Sequence, residues 1–277
     1  MMILRAGVLL AASLVLFSGC VSMQAVKDYS SYSRATIESV NPVAKDFYGS
    51  CLRANSYKPF NAHSRCDSEQ EASKAILSVA SVLDAYGAAL GALASDELVD
   101  YSADVNKLTD EVTKLKAIDE KKIDAIGKLS TLIANAATSA YQQKEVVKFI
   151  QESDESVGTV SDSLADLIET NYAQAISLEL SAWEDAYKRV EKGARDATPL
   201  EWAAYSKAQW QQRSDLQTKL SATKSLAKSI RAIGQTHHKL KQDAENLTGK
   251  EVYASVRTFV DAAKPVIINV QEAFSKE

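Results

Sequence analysis

From Pro199 the chain meets no strong helix breaker until Thr248-Gly249. A helix of roughly 50 residues at ~1.5 Å per residue is ~70 Å long. Thr198-Pro199-Leu200-Glu201 opens it with three start signals: an N-cap threonine, a proline at the first helical position and a glutamate that completes a capping box. Trp202, Tyr205, Leu216, Leu226, Ile230, Ile233, His237, Leu240 and Leu247 then fall on its apolar stripe. Much shorter partners cannot cover such a helix along its whole length in one compact globule. The element therefore demands a rod, or a bundle from which a hairpin protrudes.

The rest of the chain supplies partners of the same kind. Four prolines and ten glycines in 277 residues leave little turn material, and the alanine, serine, leucine and lysine that fill the space favour helix. A weakly amphipathic helix runs from Val21 to about Val40, and Pro42 kinks or restarts it before it continues through Phe47 to about Arg53. Ser68-Glu69-Gln70-Glu71 is a capping box ahead of the stripe Ala72, Ile76, Val79, Leu83, Tyr86, Leu90 and Leu93. After a turn near Ala94-Ser95-Asp96, a further stripe passes through Leu98, Tyr101, Val105, Leu108, Val112 and Leu115.

Asp119 can cap the next helix, whose stripe is Ile126, Leu129, Ile133, Ala136, Ala140, Val147 and Ile150. Gln151-Glu152-Ser153-Asp154 reads as its break. The following stripe is Val160, Leu164, Ile168, Tyr172, Ile176, Leu180, Trp183, Tyr187 and Val190, closed by Gly193 to Ala197. Thr248-Gly249-Lys250-Glu251 makes a third box, opening a helix with Val252, Val256, Phe259, Ala263, Val266, Val270 and Phe274 and a kink at Pro265. Val266-Ile267-Ile268-Asn269-Val270 is β-prone locally, but helical spacing continues on both sides. The expectation is an all-α fold: an elongated antiparallel bundle of six or seven helices with long helical hairpins.

The amino terminus has a different logic. Arg5 precedes an apolar run from Ala6 to Phe17 that closes with Ser18-Gly19-Cys20, the charged, apolar and small-residue order of a secretory signal. The run falls well short of the ~20 residues needed to span a bilayer. The pair Ser18-Gly19 before a cysteine resembles the lipobox of bacterial lipoproteins, with Phe17 standing where such boxes more often carry leucine. The resemblance implies cleavage before Cys20, diacylation of its thiol and acylation of the new amino terminus. It divides the chain into a signal peptide, 1–19, and a periplasmic helical-bundle domain, 20–277. Val21 is not the aspartate that retains such proteins in the inner membrane, so the resemblance also implies the periplasmic leaflet of the outer membrane. Only a few residues separate Cys20 from the first helix, which keeps the body close to the membrane surface.

Export bears on the remaining thiols. With Cys20 lipidated, Cys51 and Cys66 are most simply paired with each other. A metal site built on Cys51, His63 and Cys66 is the sharper alternative, but it lacks a fourth ligand at recognisable spacing. Without Arg5 the chain holds 31 basic and 36 acidic residues, a net charge of −5, which gives no support to nucleic-acid binding or to a polybasic grip on anionic lipid. Glycine-rich phosphate loops, G-x-S-x-G, HExxH and CxxC are all missing from the sequence. Neither His237 nor His238 has a glutamate three positions before it, so the di-metal pattern of helical bundles is absent. No cofactor or metal is implied.

Two features remain. His237 lies in the stripe of the long helix, either as a pH-sensitive buried group or, the favoured reading, as a hydrogen-bonded member of the seam. All three tryptophans, Trp183, Trp202 and Trp210, flank the turn at Gly193–Ala197, and folding back there brings Trp183 level with Trp210 and Tyr187 level with Tyr205. These five residues either seal the end of a bundle or form a binding surface, and the sealing role is favoured for Trp183 and Trp202. The functional expectation is a non-enzymatic, lipid-anchored interaction or scaffold protein of the cell envelope, with the membrane and an envelope protein as partners. The alternative is a carrier or sensor holding an apolar or sugar-like ligand between helices, which would need a cavity lined by the alanine-rich face and the tryptophans.

Overall fold

A computed structural model describes residues 19–95, 120–136, 143–194, 196–247 and 249–275. Its α-helices are α1 (Gly19–Glu38), α2 (Val40–Ser56), α3 (Asp67–Ser95), α4 (Glu120–Ala136), α5 (Gln143–Asp166), α6 (Ala173–Gly193), α7 (Pro199–Gln242) and α8 (Lys250–Phe274). Single 3-10 turns occupy Phe60–Ala62 and Ala244–Asn246, and a π-helical segment, Leu167–Tyr172, joins α5 to α6. The fold is an all-α bundle, with no strand among the described residues. The β-prone run at 266–270 lies inside α8, where Val270 is fully buried.

The 44-residue α7 is the spine, packed along α5, α8, α6 and α1. Against the far side of this group α3 packs on α1, α2, α4 and α5. Long and apolar enough by composition to cross a membrane, α3 has 67% of its most apolar window buried within the protein, as a core helix does. Tyr86, Ile76 and Leu90 on α3 join Leu164 and Ile168 and, from α7, Ile230 in one core. At the α5–α7 crossing, a Cβ on Gly234 would lie 3.1 Å from the Cα of Gly158. The two backbones approach closely there, and the tight side is that of Gly234.

The sequence spacing explains the π segment. Val160, Leu164, Ile168, Tyr172 and Ile176 recur in steps of four and are all fully buried. Each four-residue step overshoots a ~3.6-residue turn by ~40°, so four steps in a row would carry the stripe out of the core. The wider π turn absorbs that drift. Arg231 on α7 braces the segment, with ion pairs to Asp166 at 2.8 Å and Glu169 at 2.6 Å.

Several boundaries differ from expectation. Gln151–Asp154 does not break a helix; it lies within α5. Ser153 there donates to the Phe149 carbonyl at 2.6 Å, and Asp154 is buried against α7, so polarity at this point reflects a core contact rather than a turn. The helix expected from Asp119 to Ile150 is instead α4 and the start of α5, which pack against each other. Ser68 sits inside α3 rather than capping it, and Gly249 is the N-cap of α8, Thr248 lying outside the described residues. Pro265 lies within α8, with helix on both sides of it. Pro42 stands in the first turn of α2, after a break at Ser39, as a restart requires. The box at Thr198 forms in full: the Glu201 amide donates to Oγ1 at 3.3 Å, and the Thr198 amide donates to Oε2 at 2.9 Å. The stripe from Leu98 to Leu115, Ala140 and residues 1–18 of the signal segment lie outside the described residues.

Candidate functional site

The end of α6 and the start of α7 form a hairpin that outruns the other described helices. Buried residues on α6 stop at Trp183, and those on α7 begin at Leu216. Between them the seam is aromatic. Trp183 stacks on Tyr187 with centroids 5.5 Å apart, and Tyr187 stacks on Tyr205 at 6.0 Å and 11°. Trp202 tilts against both tyrosines at 6.0 and 5.7 Å. Trp183 is buried and donates its indole N–H to Gln209 Oε1 at 3.0 Å; Trp202, Tyr187 and Tyr205 are half-buried.

The expected pairing of Tyr187 with Tyr205 is present, whereas Trp183 meets Gln209 and Trp210 turns outward. The two outer faces are unlike. On α6 it carries Glu184, Asp185, Lys188, Glu191 and Lys192 beside the exposed Val190, whereas on α7 Leu200, Ala203, Ala204 and Ala208 are exposed together with Glu201 and Lys207, with Trp210 56% exposed beneath the guanidinium of Arg213 at 5.2 Å.

Buried charges lock the base of this hairpin. The Asp46 carboxylate on α2 accepts from Arg53 at 2.6 and 2.9 Å, from Lys219 Nζ at 3.2 Å and from the Tyr172 hydroxyl. Arg53 also donates to Glu179 at 2.7 and 3.1 Å. Glu179 is wholly buried, and the Lys219 side chain is 8% exposed and lies over the Phe274 ring at 5.2 Å. Burial works to raise the Asp46 pKa, but hydrogen bonds from Arg53 and Tyr172 and the charges of Arg53 and Lys219 hold its carboxyl below the usual range. Burial and the adjacent Asp46 together push the Tyr172 hydroxyl far up.

Two anions and two cations face one another. Such a network adds little net stability over an apolar core, yet it penalises every register in which its members part. It fixes α2, α6 and α7 to one another where the hairpin leaves the body.

The Cys51–Cys66 disulfide closes a loop at the same level. Tyr57 touches both hairpin helices, its carbonyl accepting from Arg189 at 2.5 Å and its hydroxyl from Gln212. Burial and Glu179 push the Tyr57 hydroxyl up to about 12. His63 stacks on the exposed Phe60 at 4.8 Å and contributes no metal ligand, because both sulfurs are spent in the bridge. Glu69 approaches those sulfurs without changing this. Cys20 lies within α1, whose side chains are described from Gln24 onward.

His237 is a fully buried member of the seam, bonded to Asp154 at 3.1 Å and to the Tyr86 hydroxyl at 2.5 Å. With Ser153 Oγ 3.4 Å from its other nitrogen, the constellation has the membership of a Ser-His-Asp triad. Ser153 is also fully buried and donates to a backbone carbonyl, so no substrate reaches it and the arrangement is structural.

The grooves of about 690 and 760 Å³ lie between α7 and α8 and between α1 and α3, and no tryptophan lines either. A smaller cavity of about 260 Å³ opens beside the charged base, walled by Arg53, Glu179, Gln212 and Lys219. No family model, curated protein or solved structure matches this chain.

Proposed function

We propose that this chain is a lipid-anchored, non-enzymatic interaction protein of the bacterial envelope that holds the α6–α7 hairpin away from the membrane that carries it. One observation supports this above the others. Tyr29 donates to the Ile233 carbonyl at 3.1 Å, Lys219 meets Asp46, and Gln212 meets Tyr57, so α1 and α2 run antiparallel to α7. The end bearing Cys20 therefore lies beside the end of α7 at Gln242, and the hairpin turn lies at the other end. The 44 residues between them correspond to ~65 Å of helix at ~1.5 Å per residue. Past Tyr57, the hairpin overhangs by ~20 Å, with Leu200, Ala203, Ala204, Ala208 and Trp210 of α7 exposed among the charges of Glu201 and Lys207.

Val26 and Tyr29 are already in the core, which leaves almost no tether between an acylated Cys20 and the body. The resemblance of Ser18-Gly19-Cys20 to a lipobox supports the anchor, and Val21 supports the outer membrane. A packed aromatic seam, and grooves that no tryptophan lines, favour the scaffold reading over the carrier.

Photo-crosslinking from α7 tests this. A photoreactive residue at Ala203 or Trp210 is expected to trap a discrete partner in intact envelopes, and one at Tyr253 on α8 is not. Equal capture from both faces, or capture from Tyr253 alone, would overturn the hairpin as the docking element.

A further inference from the structure

At the anchor end, five helices converge on His237. Its Nδ1 faces Asp154 on α5 at 3.1 Å, so that nitrogen carries a proton. Its Nε2 faces the Tyr86 hydroxyl on α3 at 2.5 Å, with Ser153 Oγ 2.9 Å from Tyr86 and 2.6 Å from the Phe149 carbonyl. Tyr29 of α1 lies 6.0 Å away ring to ring, and behind it α8 presents Phe259. On α7 itself, His238 Nδ1 and Lys241 Nζ reach the second Asp154 oxygen at 2.9 and 3.0 Å. These are the titratable and charged groups that face the imidazole.

With His237 neutral, Tyr86 donates to Nε2, and Asp154 and Lys241 balance in charge. When His237 takes a proton, Nε2 must donate. Tyr86 then turns its hydroxyl hydrogen to Ser153, and Ser153 still donates to Phe149. Only the Tyr86–His237 bond reverses, the Tyr86–Ser153 contact gains a hydrogen, and no hydrogen bond is lost. What changes is charge: one carboxylate now faces Lys241 and a buried imidazolium, and faces a third cation if His238 is also protonated. The surplus positive charge sits in the α5–α7 interface, where desolvation makes it costly.

We propose that this junction is a pH-sensitive latch, in which protonation of His237 loosens α7 from α5 at the anchor end and leaves the charged base of the hairpin closed. Burial, joined by the charges of His238 and Lys241, outweighs Asp154 and holds His237 below its ordinary value. A site that favours the neutral imidazole in the folded state contributes its full stability above the unfolded value of ~6.5 and loses it as pH falls toward the native value. At the other end, Asp46 gains from its ionised form, and that gain persists until pH falls below the ordinary carboxylate range. The inference does not depend on the lipid anchor.

Hydrogen exchange on the full chain, compared at about pH 7 and about pH 5 after correction for intrinsic rates, tests it. Protection in 149–157 and 233–241 is expected to fall by up to ~10-fold for each pH unit between the unfolded and native values, with 43–53 and 216–223 unchanged. His237→Gln keeps a donor and an acceptor but cannot titrate, and is expected to abolish the response. An equal response in that variant, or one spread evenly over the bundle, would overturn the latch. Where the variant fails to fold, the His237 ring titration in the unaltered protein decides: a midpoint above the ordinary histidine value would also overturn it.

Discussion

Replacing Trp183 by alanine tests whether the aromatic seam holds the hairpin together. The ring is 4% exposed, stacked on Tyr187 and bonded to Gln209. A tryptophan in such a place removes ~200 Å² from water, worth ~5 kcal/mol at ~25 cal/mol per Å². Alanine retains part of that burial, and measured losses for such truncations are ~3–5 kcal/mol. For a domain of this size each kcal/mol lowers Tm by ~2–4 °C, so Trp183→Ala should fall by ~6–20 °C. Trp210 is 56% exposed and touches Arg213; its removal should cost no more than ~1 kcal/mol. Thermal unfolding followed by circular dichroism, with urea unfolding in parallel, measures both. If Trp183→Ala melts within ~2 °C of the unaltered protein, or if Trp210→Ala melts lower than Trp183→Ala, the seam does not seal the hairpin.

Three further outcomes are expected. Cys20→Ser should leave a full-length precursor that incorporates no labelled fatty acid, and unchanged label would remove the anchor. Thiol trapping should find Cys51 and Cys66 blocked until reductant is added; breaking the bridge, whose partners are 15 residues apart, should cost ~3 kcal/mol in urea unfolding, and free thiols in the untreated protein would contradict it. Gly234→Ala should lose ~1–3 kcal/mol, because its new Cβ presses on the Gly158 backbone, whereas Gly158→Ala meets nothing within 4 Å and should gain ~0.5–1 kcal/mol from helix propensity; urea midpoints in the reverse order would refute the α5–α7 contact.

Much of the bundle is legible in the sequence because helical burial is periodic. The stripes on α3 and α7, the box at Thr198 and the pairing of Tyr187 with Tyr205 need only local spacing and one turn. The charged base escapes such reasoning because a pattern search discards charged residues. Lys219 and Thr223 fill the step between Leu216 and Leu226, and between Ile176 and Trp183 the stripe position taken for the half-buried Leu180 is shared by the neighbouring Glu179; Lys219, Thr223 and Glu179 are all buried. A charge at a stripe position was the available signal.

Four consecutive steps of four, from Val160 to Ile176, likewise announce the π segment, but only to a reader who adds up the angular drift. Gln151–Asp154 resembles a break because partners of Ser153 and Asp154 lie on α3 and α7, far away in sequence. Long-range pairing of this kind leaves no local trace.

The central claim, that the anchor and the hairpin occupy opposite ends of one rod, is open to a direct distance measurement. Lipidated protein with Ala204→Cys, labelled by a donor at this exposed position, would be placed in vesicles carrying an acceptor lipid. Position 204 lies 38 residues along α7 from Gln242, which is ~57 Å at ~1.5 Å per residue. Energy transfer is expected to report a donor ~50–60 Å above the membrane surface. A donor within ~20 Å of it, about the half-width of a bundle of this kind, would mean that the rod lies flat and the hairpin is not held away from the membrane.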